Sequence, residues 1–390
     1  METSATAVRT ADLFDAEEFR RQFPPLDNMV HLASCSQGAL SNQLNSSLSD
    51  LTSSLTDSGA PWGLWMGEVE KLRERFARFI NADKDEIAIV SSASEGAYQV
   101  ASSFRWDQRS GILTSALEFP SVGHVWRAQA AQGSQVHMIS DRVGALNAVE
   151  WESAINESLG LVSAPLVSYH DGARPPLRQI TDLAHRAGAR MFVDAYQGAG
   201  VVPIDVKELD CDYLVTGSLK YMLGLAGVAF LYVKDGITSE RSPELTGWFG
   251  RVDPFAFDPE LVDYPTTARR FEAGTPAVPA VYAANAGLGI LERVDQARGY
   301  EHVTRLSDML AAGLADLGIR MSRPADPERR GPQVAIYDAD PARLSEWLFG
   351  RRIMTAPRGR LLRLSLHYYT TAQDIENALA ALREYRALGQ

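Results

Sequence analysis

Short apolar runs alternate with stretches of helical periodicity through the middle of the chain. Seven of these runs are apolar nearly throughout and are predicted to be strands, over residues 86–91, 111–115, 135–139, 160–167, 190–193, 213–216 and 227–233. Residues 96–104 and 177–187, which lie between them, are predicted to be helices. Strands that alternate with helices indicate an α/β domain built on a mainly parallel sheet.

Two segments before this alternating region are predicted to be helical. Phenylalanines recur every four to five residues within residues 1–25, at Phe14, Phe19 and Phe23, which indicates a helical arm. Residues 68–81 are predicted to form an amphipathic helix, because one face of it is apolar. The apolar positions on that face are Val69, Leu72, Phe76 and Ile80.

The pattern changes after about residue 250. Two helices, two strands and a closing helix are predicted there, over residues 278–295, 300–317, 333–337, 361–366 and 372–387. A chain of 390 residues is also about two to three times the size of a usual domain. We therefore expect a large domain over residues 26–260 and a smaller α+β domain over residues 261–390.

Composition and charge exclude several classes of function. A net charge of −11 argues against nucleic-acid binding, which depends on clustered Lys and Arg. No apolar run approaches the roughly 20 residues that cross a bilayer, and no secretory signal is recognisable, so a cytoplasmic protein without membrane contact is expected. Cys35 and Cys211 are too few for a disulfide framework or a thiolate metal site. The seven histidines lack metal-ligand spacing, so no metal is expected.

A carboxylate and a lysine follow two of the predicted strands. Asp194 ends one apolar run, and Lys220, one of only five lysines, follows another ahead of a glycine-rich turn. Open α/β sheets bind their ligands at this edge. Pyridoxal phosphate needs both groups, because its aldehyde forms a Schiff base with a lysine and a buried carboxylate keeps its pyridine nitrogen protonated. Taken singly, each residue is also common at the start of a loop that carries no chemistry.

Several segments, in order along the chain, carry a resemblance to a known family. They are HLASCSQG (31–38), SASEG (92–96), DAYQ (194–197), DYLVTGSLK (212–220), RFEAGTP (270–276) and RLSLHYYTT (363–371). Together they resemble the class V aminotransferase-fold enzymes, which include cysteine desulfurases, selenocysteine lyases, kynureninases and isopenicillin N epimerases. The resemblance covers nearly the whole chain. It implies a fold type I enzyme that depends on pyridoxal phosphate, with a mainly parallel seven-stranded sheet in the large domain, and it implies a homodimer.

The resemblance also implies a role for each candidate site residue. Lys220 and Asp194 are the expected catalytic residues, and Arg363 is expected to bind the α-carboxylate of an amino-acid substrate through its planar fork of donors. Residues expected to bind the cofactor, besides Lys220 and Asp194, are Ser94, Glu95, Gly96, Phe119, Gln197, Ser218 and Thr275. Among these, the segment at 94–96 opens a helix whose N–H groups can hold a phosphate, and Thr275 is expected to act from the neighbouring subunit.

Two departures from the family pattern bear on the reaction. The residue before the expected Schiff-base lysine is Leu219, where the family usually has His, and residues 351–360 hold no cysteine, which a persulfide-forming desulfurase needs there. We therefore expect a lyase that acts at Cβ of a small or medium amino acid, through a Schiff base and a Cα carbanion. The alternatives are an aminotransferase or an epimerase of the same fold. A non-catalytic relative is disfavoured by the presence of Lys220 and Asp194, and a nicotinamide-dependent dehydrogenase by the lack of a G-x-G-x-x-G motif.

Overall fold

The computed structural model describes residues 14–237 and 241–388. Its helices are α1 (Ala16–Arg20), α2 (Asn42–Ser58), α3 (Trp62–Phe79), α4 (Ala93–Ser102), α5 (Pro120–Ala128), α6 (Ala148–Ala154), α7 (Leu177–Arg186), α8 (Val206–Leu209), α9 (Val278–Leu291), α10 (Gln296–Asp316), α11 (Pro341–Phe349) and α12 (Ala372–Ala387). Its strands are β1 (Val30–His31), β2 (Ile87–Val90), β3 (Gly111–Ser115), β4 (Gln135–Ile139), β5 (Leu159–Pro165), β6 (Arg190–Asp194), β7 (Tyr213–Gly217), β8 (Ala229–Val233), β9 (Met321–Ser322), β10 (Gln333–Tyr337), β11 (Ile353–Met354), β12 (Ala356–Arg358) and β13 (Leu361–Ser365).

Seven strands form one sheet in the order β2-β8-β7-β6-β5-β3-β4. The pairs from β7 through β4 are all parallel, and β8 alone runs in the opposite direction, between β7 and β2. The carboxyl ends of the other six strands therefore meet at one edge of the sheet. The predicted fold class, with its mainly parallel sheet of seven strands, is confirmed.

Apart from the edge strand β4, this sheet is covered on both faces, which explains why its strands are apolar nearly throughout. Successive residues of β6 and β7 point to opposite sides, so Phe192 and Val215 pack with α4 and α5, whereas Val193 and Leu214 belong to the core on the other face. The two apolar cores anchor the strand ends, and this anchoring fixes where the side chains just beyond those ends lie.

A smaller antiparallel sheet follows in the order β12-β13-β10-β9. Helices α10 and α12 pack together, and α10 also contacts β10. Near the start of the chain, β1 pairs in parallel with β11, so Val30 lies opposite Ile353. The smaller α+β unit near the C-terminus is thus present, and the domain boundaries expected at residues 25/26 and 260/261 stay predictions.

Two differences from the sequence prediction concern helices near the start of the chain. The amphipathic helix begins at Trp62, six residues earlier than expected, and α2 was not predicted at all. Most of the expected arm, residues 1–13, lies outside the described residues; within the remainder, α1 places Phe19 in the core. No helix among the described residues is long and apolar enough to cross a membrane.

Candidate active site

A cavity of about 290 Å³ opens at the edge of the large sheet where the parallel strands end. This volume is close to the lower limit for small-molecule sites in proteins, about 300 Å³. Five of the predicted site residues line the cavity: Ser94, Phe119, Asp194, Gln197 and Lys220. These five residues come from four loops, and Val167 and Tyr169 add a fifth loop, at the edge where open α/β sheets bind their ligands.

The Lys220 amine lies within this cavity, between two aromatic rings. Its Nζ is 4.3 Å from the ring centroid of Tyr196 and 5.3 Å from that of Phe119. Burial lowers the pKa of Lys220 to about 8, and the charges of Arg363 and Arg358 act in the same direction, while Asp194 opposes the shift. A larger fraction of the amine is therefore uncharged near neutral pH than for an ordinary lysine, which suits a nucleophile or a base.

Asp194 ends β6 with its carboxyl group buried beside the cavity. Its Oδ1 accepts a hydrogen bond of 2.9 Å from the backbone N–H of Tyr196. Burial raises the pKa of Asp194, whereas the Tyr196 N–H and the positive charge of Lys220 lower it. The buried carboxyl group of Glu118 is a neighbour of Asp194, and the charge of Asp194 raises the pKa of Glu118. Asp194 is thus a buried carboxyl group in a fixed orientation. A carboxylate of this kind can keep the ring nitrogen of the cofactor protonated.

The N-terminus of α4 forms another wall of the cavity. Ser92 caps this helix, because its Oγ accepts from the N–H of Glu95, and its carbonyl accepts from the N–H of Gly96. The N–H groups of Ala93 and Ser94 precede the first intrahelical bond and so have no acceptor within the helix. Free N–H groups at a helix N-terminus form a site for an anion such as phosphate.

Gln197 presents an unpaired polar atom in the same region. Its Nε2 donates to the carbonyl oxygen of Cys35 at 3.2 Å, while its buried Oε1 has no hydrogen-bond partner among the described residues. A buried polar atom without a partner indicates a site for a ligand or water. Together with the amine, the carboxyl group and the helix N-terminus, this atom makes the cavity fit pyridoxal phosphate.

Four of the predicted cofactor-binding residues do not line the cavity. Glu95 accepts hydrogen bonds from Ser91, Ser218 donates through its hydroxyl to the Leu225 carbonyl at 2.5 Å, and Thr275 is exposed on the surface. Gly96 packs so closely that a Cβ there would lie 2.9 Å from Val215 Cγ2, so this glycine allows α4 to approach β7. Contact of these four residues with the cofactor stays a prediction.

Arg363 lies in the middle of β13 and is buried close to the cavity. Its Nε donates to the Ala356 carbonyl at 3.1 Å, and its Nη1 donates to the carbonyl of Tyr169, a residue that lines the cavity, at 2.8 Å. These two bonds fix the plane of the guanidinium group and leave Nη2 unpaired among the described residues. An oriented cation beside Lys220 can bind a carboxylate.

Both cysteines are buried. Cys211 lies just before β7, and burial raises its pKa far above the ordinary thiol value. Cys35 is 1% exposed, and its carbonyl is bound by Gln197. Since the chain has only these two cysteines, it has no exposed thiol that can move to meet a substrate.

Residues 44–378 match the family model described as Aminotransferase class-V. The chain belongs to the class-V aminotransferase family. The predicted family, its enzymatic nature and its cofactor, pyridoxal phosphate, are thereby confirmed.

Relatives within and near this class-V family carry several names. An uncharacterized aminotransferase of Bacillus subtilis (strain 168), YcbU, is 35% identical over 363 residues, which cover 93% of this chain and 96% of the relative. A kynureninase of Bacillus anthracis is 27% identical over 397 residues, which cover 95% of this chain and 91% of the relative. The structure of the cystine C–S lyase C-DES in complex with its reaction product, cysteine persulfide, has a TM-score of 0.85 at 24% identity, over 93% of this chain and 99% of that chain. This last likeness shows the fold.

Sequence reasoning missed two features of this class-V site. Tyr169 packs edge-on against Phe119 at 5.0 Å between ring centroids and carries the carbonyl that binds Arg363. Glu118, directly before Phe119, is buried against Asp194. The only signal for Glu118 in the sequence is a charged residue directly after an apolar strand and beside a predicted site residue.

Proposed function

We propose that this chain is a pyridoxal-phosphate-dependent lyase that cleaves a bond at Cβ of a small or medium amino acid. The bound cofactor supplies an electron sink for the electron pair left on Cα when a bond there breaks. The observation that carries the proposal is that the Lys220 amine and the Asp194 carboxyl group line one cavity, while the Arg363 guanidinium group binds the carbonyl of Tyr169 at its wall. The small volume of the cavity supports a substrate with a short side chain.

Each of these groups has a separate task in the proposed reaction. Arg363 binds the α-carboxylate of the substrate through Nη2, which its backbone contacts leave available. Lys220 removes the proton from Cα and can return one, because its lowered pKa makes the free amine accessible near neutral pH. Asp194 holds a proton on the ring nitrogen. The contact of Arg363 with the carboxylate thus selects which bond at Cα breaks. The amine of Lys220 carries the proton in both directions.

The remaining predicted cofactor contacts are part of the same proposal. Ser94 and the N-terminus of α4 hold the phosphate, with the hydroxyl of Ser218 and the segment of Glu95 and Gly96 beside them. Phe119 stacks on the ring. Gln197 donates to the phenolic oxygen through the second hydrogen of Nε2, whose first hydrogen binds the Cys35 carbonyl. The two buried cysteines argue against a persulfide-forming mechanism, because neither thiol is free to reach substrate sulfur.

An aminotransferase is the second candidate, and it is favoured by the 35% identical relative that carries this name. The kynureninase relatives support cleavage at Cβ instead. Incubating the holoenzyme with a panel of amino acids distinguishes the two. A lyase releases ammonia, a 2-keto acid, sulfide or alanine without a second substrate, whereas an aminotransferase forms product only when a 2-keto acid is added. Lys220→Ala should abolish either reaction, and the surface variant Lys84→Ala is the control.

We also propose that the enzyme is a cytoplasmic homodimer in which Thr275 reaches the partner's phosphate site. Large apolar side chains at the surface support an interface: Trp62, Leu64, Phe255 and Phe257, the last being 73% exposed. Phe257→Asp should shift the sedimentation coefficient to that of a monomer and weaken cofactor binding. Val143→Asp, at an equally exposed apolar position, should do neither. A monomeric wild-type chain with full activity would remove Thr275 from the site.

A further inference from the structure

Glu118 and Asp194 form a pair of buried carboxyl groups behind the cavity. Glu118 follows β3 and Asp194 ends β6, and the Glu118 carboxyl group binds Ser163 on β5, the strand that pairs with β6. The two carboxyl groups are 7% and 5% exposed, and the charge of Asp194 raises the pKa of Glu118. Two neighbouring buried carboxylates repel each other, and in their ionised forms both can only accept hydrogen bonds. A single proton shared by the pair removes the repulsion and supplies a donor between them.

The surroundings of the two groups decide which one holds the proton. Asp194 lies near the positive charge of Lys220 and accepts the Tyr196 N–H, and both favour its ionised form. No cation faces Glu118 among its described contacts. Its Oε2 accepts from Ser163 Oγ at 2.8 Å, and its Oε1 accepts from the Phe119 N–H at 3.0 Å. Burial, together with the charge of Asp194, raises the pKa of Glu118 to about 8.

We propose that Glu118 is a positioning residue that stays a neutral carboxylic acid and donates a hydrogen bond to Asp194. This bond keeps Asp194 ionised and directs it towards the ring nitrogen of the cofactor. Glu118 does not itself reach the cofactor, because it does not line the cavity. Ser163, on the intervening strand β5, fixes the far side of the Glu118 carboxyl group. The inference rests on the proposed function in one respect: that Asp194 keeps the ring nitrogen of the cofactor protonated.

Infrared spectroscopy of the purified protein at pH 7 tests the shared proton directly. A carbonyl stretching band of a protonated carboxyl group should be present in the wild type and absent in Glu118→Gln. Asp171→Asn is the matched control: burial raises the pKa of this carboxyl group, but the nearby His170 ring and the charge of Arg142, 3.8 Å away, outweigh burial and lower it, so Asp171 is ionised at pH 7. A band that persists in Glu118→Gln, or that disappears in Asp171→Asn, overturns the proposal.

Cofactor affinity tests whether Glu118 acts through Asp194. Glu118→Gln keeps a donor towards Asp194 and should bind pyridoxal phosphate within about threefold of the wild type. Glu118→Leu has no donor and should weaken binding by at least about tenfold, because an unmet hydrogen bond to a charged group is expensive. In an Asp194→Asn background the same Leu substitution should have less than about a threefold effect.

The alternative is that Glu118 only anchors the backbone of Phe119. In that case Glu118→Leu weakens cofactor binding by the same factor in the wild-type background and in the Asp194→Asn background. That result overturns the proposal. If Glu118→Leu fails to fold, the infrared comparison of the isosteric Gln variant still decides. If the protein binds no pyridoxal phosphate, the proposed function fails, whereas the infrared band still tests the carboxyl pair on the same sample.

Discussion

His367 binds the backbone directly after the predicted Schiff-base lysine, because its Nε2 lies 2.9 Å from the carbonyl oxygen of Tyr221. A carbonyl only accepts, so Nε2 carries the proton, and Nδ1 accepts from the Tyr368 N–H at 2.7 Å. Both ring nitrogens are therefore satisfied by a neutral imidazole. The loop that carries Lys220 is thus fixed to the segment after β13, the strand that carries Arg363.

This arrangement predicts a loss of stability in mild acid. Burial lowers the pKa of His367 to about 3, and of His31 to about 4, so the unfolded chain binds protons below pH 6.5 that the folded chain does not. Stability should be complete above pH 6.5 and fall as the pH decreases towards 4. For His367 alone the loss between pH 7.5 and 5 is about 2 kcal/mol. Urea unfolding at pH 7.5 and 5 measures this loss in the free energy of unfolding. The His367→Gln variant should lose less stability than the wild type between these pH values. An equal loss in both proteins would contradict a buried, neutral His367.

Lys220 should carry the cofactor. Borohydride reduction of the yellow holoenzyme should remove its visible absorption band and leave the added mass on the peptide that contains Lys220, as determined by mass spectrometry. The other four lysines, Lys71, Lys84, Lys207 and Lys234, lie outside the residues that line the cavity. The added mass on any of these four would refute the site described above.

Asp194→Ala should still bind pyridoxal phosphate, with lower affinity than the wild type, but should lose turnover. The phosphate contacts at α4 do not involve Asp194, whereas the electron sink depends on a protonated ring nitrogen. We expect kcat to fall by at least about a hundredfold, with the cofactor still visible in the absorption spectrum. Near wild-type turnover would show that another group protonates the ring.

Cys35 and Cys211 should be dispensable. Both are buried, and the Cys35 contact with Gln197 uses a backbone carbonyl that serine also has. The double variant Cys35→Ser with Cys211→Ser should keep kcat/KM within about tenfold of the wild type. A loss of several orders of magnitude in Cys35→Ser alone, with cofactor bound, would favour a cysteine-based mechanism.

Gly217→Ala should disturb the site from the end of β7. A Cβ at Gly217 would overlap the ring of Tyr196, which lies against the Lys220 amine. We expect weaker cofactor binding and a loss of thermal stability, both measured on the purified variant. Gly123→Ala is the control, because nothing lies within 4 Å of a Cβ there, and alanine in the interior of α5 should be neutral or stabilising.

The large sheet could be predicted because its strands, apart from the edge strand β4, are buried on both faces and so have continuous apolar runs. Helix α2 could not, since its sequence is rich in Ser, Thr and Asn, and what holds it is the packing of Leu44 against Ala283 and Ala286 of α9. Asp194 and Lys220 could be predicted because each follows its own strand. The contact between Glu118 and Asp194 could not, because it depends on the order β6-β5-β3 across the sheet, which no local pattern contains.

The pairing of β1 with β11 has a consequence for the order in which a growing chain folds. Val30 leaves the ribosome early, but its partner Ile353 is made near the end of translation. All strands of the seven-stranded sheet are synthesised after Val30 and before Ile353. That sheet can therefore form while β1 still lacks its pairing partner β11. Closing so distant a contact is entropically unfavourable until the rest of the chain holds its ends together. A chain truncated before residue 353 should therefore leave Val30 open to proteases even where the large sheet has formed.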